Sequence, residues 1–442
     1  MKNRIYDLIL KIQLVIGIVL MLCINLHVVH MFKMPKLVYP TTAQKTYFWR
    51  LFGANRWLWN QIKDMTDKRY QNNKNLLFPS TASLKKLLPR LKQEYPWLKK
   101  ANSTSLQATV EYYCNAQEAF FKQTPVGRKP PKFKGRHFYR QSATLKNVPS
   151  KRKDGSLLYP IQTVNKYCLR IGTRKPIFVE TSSLNRLKHK VIKRMMVVYR
   201  ADLDRFYLSF VVADQREELP QYQAKTQKTG KMIGIDVGLG NEWLVTSDNH
   251  RWSVPQTFEA EKAKNLRQSH CDRNRTAVEK RVARFNQKHK ETKIDKYDFA
   301  NWQKLRKTKS KYQVKINNIR LDYIQQATTW LVKHYDVIAI EDLKTKNLLG
   351  NHKLAHNIAN AGWSMFRRML AYKCKWYGKK LIIVPPQYTS RICSDCGQKN
   401  PAFAHMKTRD WLSVREWTCP FCRAEHDRDV NAAKNILARA VC

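Results

Sequence analysis

Four cysteines near the C-terminal end of the sequence have the spacing of a metal site. Cys393 and Cys396 form one C-x-x-C pair, and Cys419 and Cys422 form another. A tight turn within each pair lets two thiolates converge on one ion, and Zn²⁺ binds four such sulfur ligands tetrahedrally. Two pairs in one segment disfavour the alternatives, a redox dithiol or a chance spacing. Because protein ligands fill all four positions, we predict a structural zinc ribbon over residues 390–425.

Acidic residues at the ends of apolar segments form a second group that could do chemistry. Asp236 ends the run MIGID, Glu341 ends VIAIE, and both Asp427 and Asp429 lie in HDRDVNAAKNIL. A carboxylate at the end of a buried strand lies at the edge of a sheet, where ligands bind in open α/β folds. Taken singly, each acid could be a helix cap or a surface charge. Together they would repel one another unless divalent cations lay between them.

A carboxylate cluster of this kind favours phosphodiester hydrolysis. Two divalent cations on shared carboxylates serve an in-line displacement, in which one activates water and the other stabilises the leaving oxygen. Carboxylate oxygens accept both Mg²⁺ and Mn²⁺, so the pattern does not choose between these two metals. We therefore predict a two-metal site built from three of these acids.

The charge of the chain indicates what such a site would act on. The 442 residues include 83 Lys and Arg against 33 Asp and Glu, a net charge of +50, and the pI is about 10.1. A chain this basic repels itself unless a polyanion neutralises it, and nucleic acids are the dominant polyanions of a cell. The alternative is that the basic residues only form a solvated surface. That interpretation fits a protein whose net charge is much smaller than +50. The 43% of hydrophobic residues excludes a disordered tail.

The first 33 residues differ in composition from the rest. Leu8–Phe32 is an apolar run of the length that spans a bilayer, although Lys11 interrupts it and no small-residue cleavage site follows. It is either a membrane anchor or a translated upstream segment before a start at Met31 or Met34. We favour the second, because tethering so basic a chain to a bilayer has no evident use. We therefore expect no stable membrane association, and a cytoplasmic, nucleoid-associated protein whose scattered remaining cysteines suit a reducing compartment.

The elements that must position the candidate site residues form two domains and a linker. Residues 34–214 begin with helical stretches and continue with short β-like runs, which predicts a small β-barrel or sheet with a helical insertion. Within them, Gly127–Ser142 is a basic, aromatic-bearing loop that either contacts phosphates or is a solvated linker. Residues 215–230 are a polar linker. Residues 231–442 alternate strands and helices as an α/β sheet does, with a long basic helical hairpin over about 257–333.

The order of these motifs resembles a known family. GIDVGLG (234–240), VIAIEDL (337–343), CSDCG, WTCPFC and HDRDVNAAKNIL follow one another as in the TnpB proteins of insertion sequences, relatives of the type V CRISPR effector nucleases. A looser match in the N-terminal half includes LVYPTTAQ and PPKFKGR, whereas the first 33 residues are foreign to the family. The resemblance implies an RNase H-like RuvC nuclease domain with an inserted zinc ribbon, preceded by a β-barrel wedge carrying a helical recognition insert.

The resemblance also implies an activity and its residues. The protein would be an RNA-guided, divalent-metal-dependent DNA endonuclease, with a guide RNA derived from the transposon end and a target DNA as partners. The catalytic acids would be Asp236, Glu341 and Asp429, which would bind Mg²⁺ or Mn²⁺. Asp429 is preferred over Asp427 because the family's acid lies two residues before an asparagine, here Asn431. A non-catalytic regulator of transposition or transcription remains the alternative, although no acid is missing. A strict transposase would need a catalytic tyrosine motif, which we do not identify.

Overall fold

The computed structural model describes residues 27–123, 129–136, 138, 140–172, 176–187, 190–215, 228–239, 242–343, 361–403, 406, 410 and 413–441. The chain divides into two compact units, Met1–Arg216 and Glu217–Cys442. Among the described residues no helix is long and apolar enough to cross a membrane. Most of the apolar run Leu8–Phe32 lies outside these ranges, so the start at Met31 or Met34 stays a prediction.

The first unit contains a cluster of amphipathic helices. These are α1 (Thr42–Asn72), α2 (Thr81–Glu94) and α3 (Ser103–Phe121), with a 3₁₀ turn at Pro96–Lys100 between the last two. Helix α1 begins at a capping box, in which Thr41 and Gln44 each accept a hydrogen bond from the other's backbone amide. Apolar side chains at helical spacing pack the three helices together, among them Leu58, Ile62, Leu84, Leu98, Leu106 and Tyr113.

The remainder of the first unit is β-structure. In chain order its strands are β1 (His27–Val38), β2 (Arg140–Lys146), β3 (Ser150–Lys151), β4 (Leu157–Leu158), β5 (Ile161–Thr163), β6 (Cys168–Ile171), β7 (Ile177–Glu180), β8 (Val191–Arg200) and β9 (Arg205–Gln215). One antiparallel sheet has the order β1-β9-β8-β2, a second comprises β5-β6-β7, and β3 pairs with β4. The three helices therefore lie, along the chain, between the first two strands of one sheet.

Strand β1 begins before the predicted domain boundary. His27 pairs with Gln215 at the end of β9, and the pairing continues through Phe32 to a bulge before Lys36. The boundary predicted at residue 34 therefore falls inside a strand, and the predicted linker begins at the last residue of β9. Composition changes near residue 34, but the backbone of β9 extends far enough to pair with the residues before it. Residues 216–227 of the predicted linker lie outside the described ranges.

The second unit is built on an α/β sheet, as predicted, and this sheet has five strands. Its strands are β10 (Met232–Val237), β11 (Glu242–Thr246), β12 (Arg251–Ser253), β13 (Val337–Glu341) and β14 (Lys380–Val384). They lie in the order β12-β11-β10-β13-β14. Strands β10, β13 and β14 are parallel, whereas β11 is antiparallel to both of its neighbours. The carboxyl ends of β10 and β13, which carry Asp236 and Glu341, therefore meet at the same edge of the sheet.

Helices cover this sheet and extend from it. They are α4 (Phe258–Lys288), α5 (Ala300–His334), α6 (Trp363–Tyr377) and α7 (Arg428–Val441). The two long helices α4 and α5 pack against each other over the region for which a helical hairpin is predicted, and Arg320 pairs with Glu261 between them at 2.6 Å. The core between sheet and helices includes Ile233, Ile235, Leu331, Ile338, Phe366 and Leu370.

A close approach fixes α7 against β10. A Cβ atom placed on Gly234 would lie 2.0 Å from the carbonyl oxygen of Ala433 and 2.8 Å from the amide nitrogen of Leu437. Only glycine therefore allows the backbone of this helix to contact the strand. Ala433 and Ile436 are buried on the same side of the helix. As a result the first turn of α7, which contains Asp429, is held next to the strand that carries Asp236.

Candidate active site

Asp236 is the centre of the acidic group. It lies at the carboxyl end of β10, and its Oδ1 accepts a hydrogen bond of 2.9 Å from the amide of Val237. Desolvation by the surrounding protein, together with the nearby charges of Glu341 and Asp429, raises the pKa of Asp236 to about 8. Asp236 therefore interacts electrostatically with both of the other acids that the resemblance implies.

Glu341 is the last residue of β13, the neighbouring parallel strand. Its Oε1 accepts a hydrogen bond from the buried hydroxyl of Thr389. Burial raises the pKa of Glu341, and the hydrogen bond from Thr389 opposes that effect. The next residue, Asp342, is paired instead with Arg367 of α6 at 2.6 Å. Of the two adjacent acids, Glu341 is thus the one that faces the acidic group.

Asp427 and Asp429 have different roles in the structure. Asp427 caps α7, because its Oδ1 accepts from the amides of Asp429 and Val430, and it also pairs with Arg251 at 3.0 Å. Asp429 lies in the first helical turn and pairs with Arg428 at 2.7 Å and Arg415 at 3.2 Å. The carboxylate of Asp427 therefore forms a helix cap and an ion pair, whereas the charge of Asp429 helps to raise the pKa of Asp236.

The donor set of the acidic group fits hard divalent cations. Carboxylate oxygens are the ligands that Mg²⁺ and Mn²⁺ prefer. Burial is the main cause of the raised pKa of Asp236, and repulsion from Glu341 and Asp429, which a cation would relieve, adds to it. Among the described residues, the four cysteines are the one group of three or more potential ligands close enough together to hold a metal ion, so the structure does not bring the carboxylates of Asp236, Glu341 and Asp429 together as such a group. The two arginines on Asp429 hold its carboxylate in ion pairs.

A cavity of about 350 Å³ opens beside Glu341. Its walls come from the ends of β10 and β13 and from the first turns of α6, and they include Val237, Leu343, Trp363, Phe366, Arg367 and Arg368. The apolar walls and the two arginines at this edge of the sheet suit part of a nucleic-acid strand, which offers both flat bases and phosphates.

The four cysteines converge as their spacing predicts. All four sulfur atoms lie within 4.8 Å of one another, with Cys393 to Cys422 at 3.6 Å and Cys396 to Cys419 at 3.7 Å. A tetrahedron with Zn–S bonds of about 2.3 Å has edges of about 3.8 Å, so the spacing fits zinc closely. The two strands β15 (Glu416–Thr418) and β16 (Glu425–Asp427) pair beneath the second knuckle.

Two asparagines of α7 connect this zinc site to the acids: Asn431, named above only as the marker for Asp429, and Asn435, which no motif singles out. The Nδ2 of Asn435 donates to the carbonyl oxygens of Thr389 and Ile392, both at 2.7 Å. Asn431 donates to the same Ile392 oxygen at 2.8 Å and accepts from the amide of Ser394 at 2.8 Å. We call Asn431, Asn435 and the segment 389–394 the knuckle clamp. Both asparagines are buried, and their i, i+4 spacing on the apolar face of a short helix is the signal in the sequence.

His426 gives the zinc site a further contact to the same region. Its Nε2 lies 3.0 Å from the sulfur of Cys393, and its ring lies 4.5 Å from that of Trp417. Residue 426 immediately precedes Asp427, the cap of α7. The first knuckle is therefore bound to the segment that starts this helix, and the second knuckle leads into the same segment along the chain.

The basic loop of the first unit is pinned to α1 over its described part. The indole of Trp59 donates to the carbonyl of Lys132 at 3.0 Å, and the side chain of Asn60 bonds to both the carbonyl and the amide of Lys134. The ammonium of Lys134 lies 3.6 Å from the ring centre of Trp59. The phenyl ring of Phe133 remains 56% exposed. Residues 132–134 are exposed although 132 and 134 are bound to α1, so contact with phosphates and a solvated linker both stay as interpretations of Gly127–Ser142.

The helical pair of the second unit carries many exposed basic side chains. They include Lys262, Arg273, Arg275, Lys280, Arg281, Arg284 and Lys288 of α4, and Lys304, Lys311, Lys315 and Lys333 of α5. A basic helical surface of this kind suits the backbone of a nucleic acid.

Three family profiles match parts of the chain. The IS605 OrfB profile, described as "Probable transposase", matches residues 209–352, and a Cas12f1-like TNB domain matches residues 363–436. A helix-turn-helix domain matches residues 38–75, a segment in which the structure has one continuous helix, α1.

Similar proteins and a similar structure accompany these matches. A protein of Streptomyces pristinaespiralis described as a candidate RNA-guided DNA endonuclease is 30% identical over 403 residues, or 90% of this chain and 87% of the relative. InsQ of Escherichia coli K12, with the same description, is 35% identical over 31% of this chain and 36% of its own length. The structure of a Cas12f1–sgRNA–target DNA complex matches with a TM-score of 0.51 at 15% identity, over 90% of this chain and 83% of that one. This last likeness concerns the fold alone.

Proposed function

The chain belongs to the TnpB (IS605 OrfB) family, and we propose that it is an RNA-guided, divalent-metal-dependent DNA endonuclease encoded by a transposable element. A relative that matches 90% of the chain is described as a candidate RNA-guided DNA endonuclease. The single observation that carries the proposal is geometric: Asp236 and Glu341 lie at the carboxyl ends of neighbouring parallel strands, and the contact of Gly234 with Ala433 holds the helix that carries Asp429 on the first of these strands. Carboxylates at one edge of a mixed sheet are the ligand set that a metal-dependent phosphodiesterase requires.

The proposed catalytic residues are Asp236, Glu341 and Asp429. Bound to these carboxylates, two Mg²⁺ or Mn²⁺ ions would supply an activated water and stabilisation of the leaving oxygen. Asp236 and Glu341 come from adjacent parallel strands and are desolvated, which strengthens their electrostatic interactions. Asp427 is left out of this set because it already caps α7 and pairs with Arg251.

The domain arrangement of the family is a further part of the proposal. The strand order β12-β11-β10-β13-β14, with β11 antiparallel, agrees with an RNase H-like RuvC sheet. The cysteine site lies between β14 and α7, which supports a zinc ribbon inserted in that domain. In the first unit, α1–α3 lie between β1 and β2, which supports a β-structured wedge with a helical recognition insert.

The proposed partners are a guide RNA derived from the transposon end and a target DNA. The net charge of +50, the pinned basic loop and the basic surface of α4 and α5 support contact with nucleic acids. Base pairing with the guide would select the target sequence, while the protein would bind the shape and backbone of the heteroduplex.

One experiment tests this function. The full chain is purified from cells that carry its element, the RNA that copurifies is sequenced, and the complex is given Mg²⁺ and a DNA that matches the RNA. We expect cleavage by the native protein and none by Asp236→Ala. Binding of the matched DNA without cleavage, independent of Mg²⁺, would identify a non-catalytic regulator instead. Equal cleavage by Asp236→Ala would reject the proposed site.

A further inference from the structure

The hydroxyl of Thr389 touches a proposed catalytic residue without belonging to the acidic group. Its Oγ1 donates to Oε1 of Glu341, and the side chain of Thr389 is 95% buried, with 5% of its surface exposed. A donor fixed on one carboxylate oxygen sets the direction in which the carboxylate presents its remaining lone pairs. A threonine in this position can therefore decide how well Glu341 receives a metal ion.

The position of Thr389 depends on the knuckle clamp. Asn435 holds the carbonyl of Thr389 itself, and Asn431 and Asn435 both hold the carbonyl of Ile392. The next residue, Cys393, is a zinc ligand in the proposed ribbon, and the amide of Ser394 is bound by Asn431. A continuous path of hydrogen bonds and one peptide segment thus joins the zinc site to Glu341.

We propose that Thr389 is a positioning residue that orients Glu341 for its divalent cation, and that the zinc knuckle and the knuckle clamp hold Thr389 in place. This inference rests on the proposed function. It goes beyond that function because it gives the ribbon a specific connection to the acid on β13, which lies far from it in sequence. Zinc then contributes to the affinity of the catalytic metal site without taking part in the chemistry.

Hydrogen-bond partners of metal ligands have measurable effects on metal binding. Their removal typically lowers metal affinity by roughly 10- to 100-fold, because the ligand loses its fixed orientation. Thr389→Val keeps the shape of the side chain and removes the hydroxyl, whereas Thr389→Ser keeps the hydroxyl. An effect of the hydrogen bond on Glu341 should therefore appear in Thr389→Val and not in Thr389→Ser. An effect of packing at this buried position should appear in Thr389→Ser, which loses a methyl group.

The test measures Mn²⁺ binding by the zinc-loaded full chain, from the loss of the free Mn²⁺ signal in electron paramagnetic resonance. Asp236→Asn defines the background of non-catalytic binding. We expect Thr389→Val to raise the Kd for Mn²⁺ by about 10-fold or more, with one zinc per chain retained, and Thr389→Ser to restore a value near that of the native protein. Cleavage at limiting Mn²⁺ should fall in parallel and recover at high Mn²⁺.

A double-mutant cycle tests the connection to zinc. Cys419→Ser should raise the Kd for Mn²⁺ in the native background and change it little further in Thr389→Val, because both act on the same carboxylate. An unchanged Kd in Thr389→Val, or loss of zinc from that variant, would overturn the inference. A native protein that binds no more Mn²⁺ than Asp236→Asn would instead reject the proposed function, so the two failures are distinguishable.

Discussion

Gly234 of β10 lies directly against the backbone of Ala433 in α7, so close that a Cβ atom would come within 2.0 Å of the carbonyl oxygen. Because the atom in conflict is backbone, no side-chain movement relieves it. The contact places the helix that carries Asp429 on the strand that carries Asp236. The geometry of the acidic group therefore depends on a residue that has no side chain.

Gly234→Ala should separate α7 from β10. We expect a loss of stability of at least about 2 kcal/mol, because overpacking against backbone costs this much or more, and a loss of cleavage. The measurement is chemical denaturation together with the cleavage assay. Gly53→Ala is the matched control: no atom lies within 4 Å of its added Cβ, and it lies inside α1. The free energy of unfolding of this control should increase by up to about 1 kcal/mol, because alanine favours a helix more than glycine does. Equal behaviour of the two variants would contradict the close contact.

Asp429→Asn and Asp427→Asn should differ in their effect on cleavage. Removal of a metal-binding charge costs several kcal/mol of transition-state stabilisation, or roughly 100-fold or more in rate. Asparagine at position 427 still caps α7, because its side-chain oxygen accepts from the same amides. We therefore expect a reduction below about 10-fold for Asp427→Asn. The measurement is the cleavage rate of each variant at saturating Mg²⁺. A larger loss of rate in Asp427→Asn than in Asp429→Asn would make Asp427 the catalytic acid.

Loss of zinc should lower cleavage as well as stability. Cys419→Ser removes one of four ligands, and the first turn of α7 is joined to the site through His426 and Asn431. Zinc content by mass spectrometry and cleavage of matched DNA are measured on the same preparation. The control is Cys271→Ser, which replaces a buried cysteine of α4 outside the ribbon. This variant should retain the zinc of the ribbon. Full cleavage by a zinc-free Cys419→Ser would make the ribbon a separate binding module.

Lys373 should make stability rise with pH. Burial lowers the pKa of Lys373 from 10.5 to about 8, while its ammonium donates to the Gln325 carbonyl and the hydroxyls of Thr328 and Thr329. Between these two values the unfolded chain keeps a proton that the folded chain has released, so this group adds stability as pH rises. The gain relative to Lys373→Met should be on the order of 1–3 kcal/mol between pH 7.5 and 10. Denaturation curves of both proteins at the two pH values measure this gain. If the difference in free energy of unfolding between the two proteins were the same at both pH values, the lowered pKa of Lys373 would be contradicted.

Phe133 should contribute to RNA binding from its pinned position on the basic loop. Stacking of a base on an aromatic ring contributes about 1–3 kcal/mol, so Phe133→Ala should weaken binding roughly 5- to 150-fold. Filter binding with the copurifying RNA measures the change. Phe178→Ala, at a similarly exposed ring on β7, is the control and should bind as the native protein does. Equal affinities of the two variants would assign the loop a structural role.

Much of the second unit can be predicted from its sequence. The strands that end in Asp236 and Glu341 are buried apolar runs, and two C-x-x-C pairs specify a metal site by spacing alone. The choice between Asp427 and Asp429 cannot be made in this way, because both lie in one short segment. It depends on where α7 begins, and the structure begins it at Arg428, which makes Asp427 the cap.

Other features depend on tertiary contacts that no local pattern specifies. The knuckle clamp requires two asparagines to meet backbone atoms some 40 residues earlier in the chain. Strand β1 begins at His27 because β9, a strand far along the chain, is long enough to pair with its first residues. In both cases the partner, rather than the segment itself, determines the structure.

The order of the elements along the chain has a consequence for biosynthesis. Strand β10 is synthesised early in the second unit, whereas α7, which packs on it and carries Asp429, follows β14 and the cysteine site in the chain. Pairing of β10 with β13 must also wait for about a hundred residues of intervening chain, and contacts of such long range form slowly. We expect nascent chains in which α7 has not yet been synthesised to be without nuclease activity, because Asp429 is then missing from the acidic group.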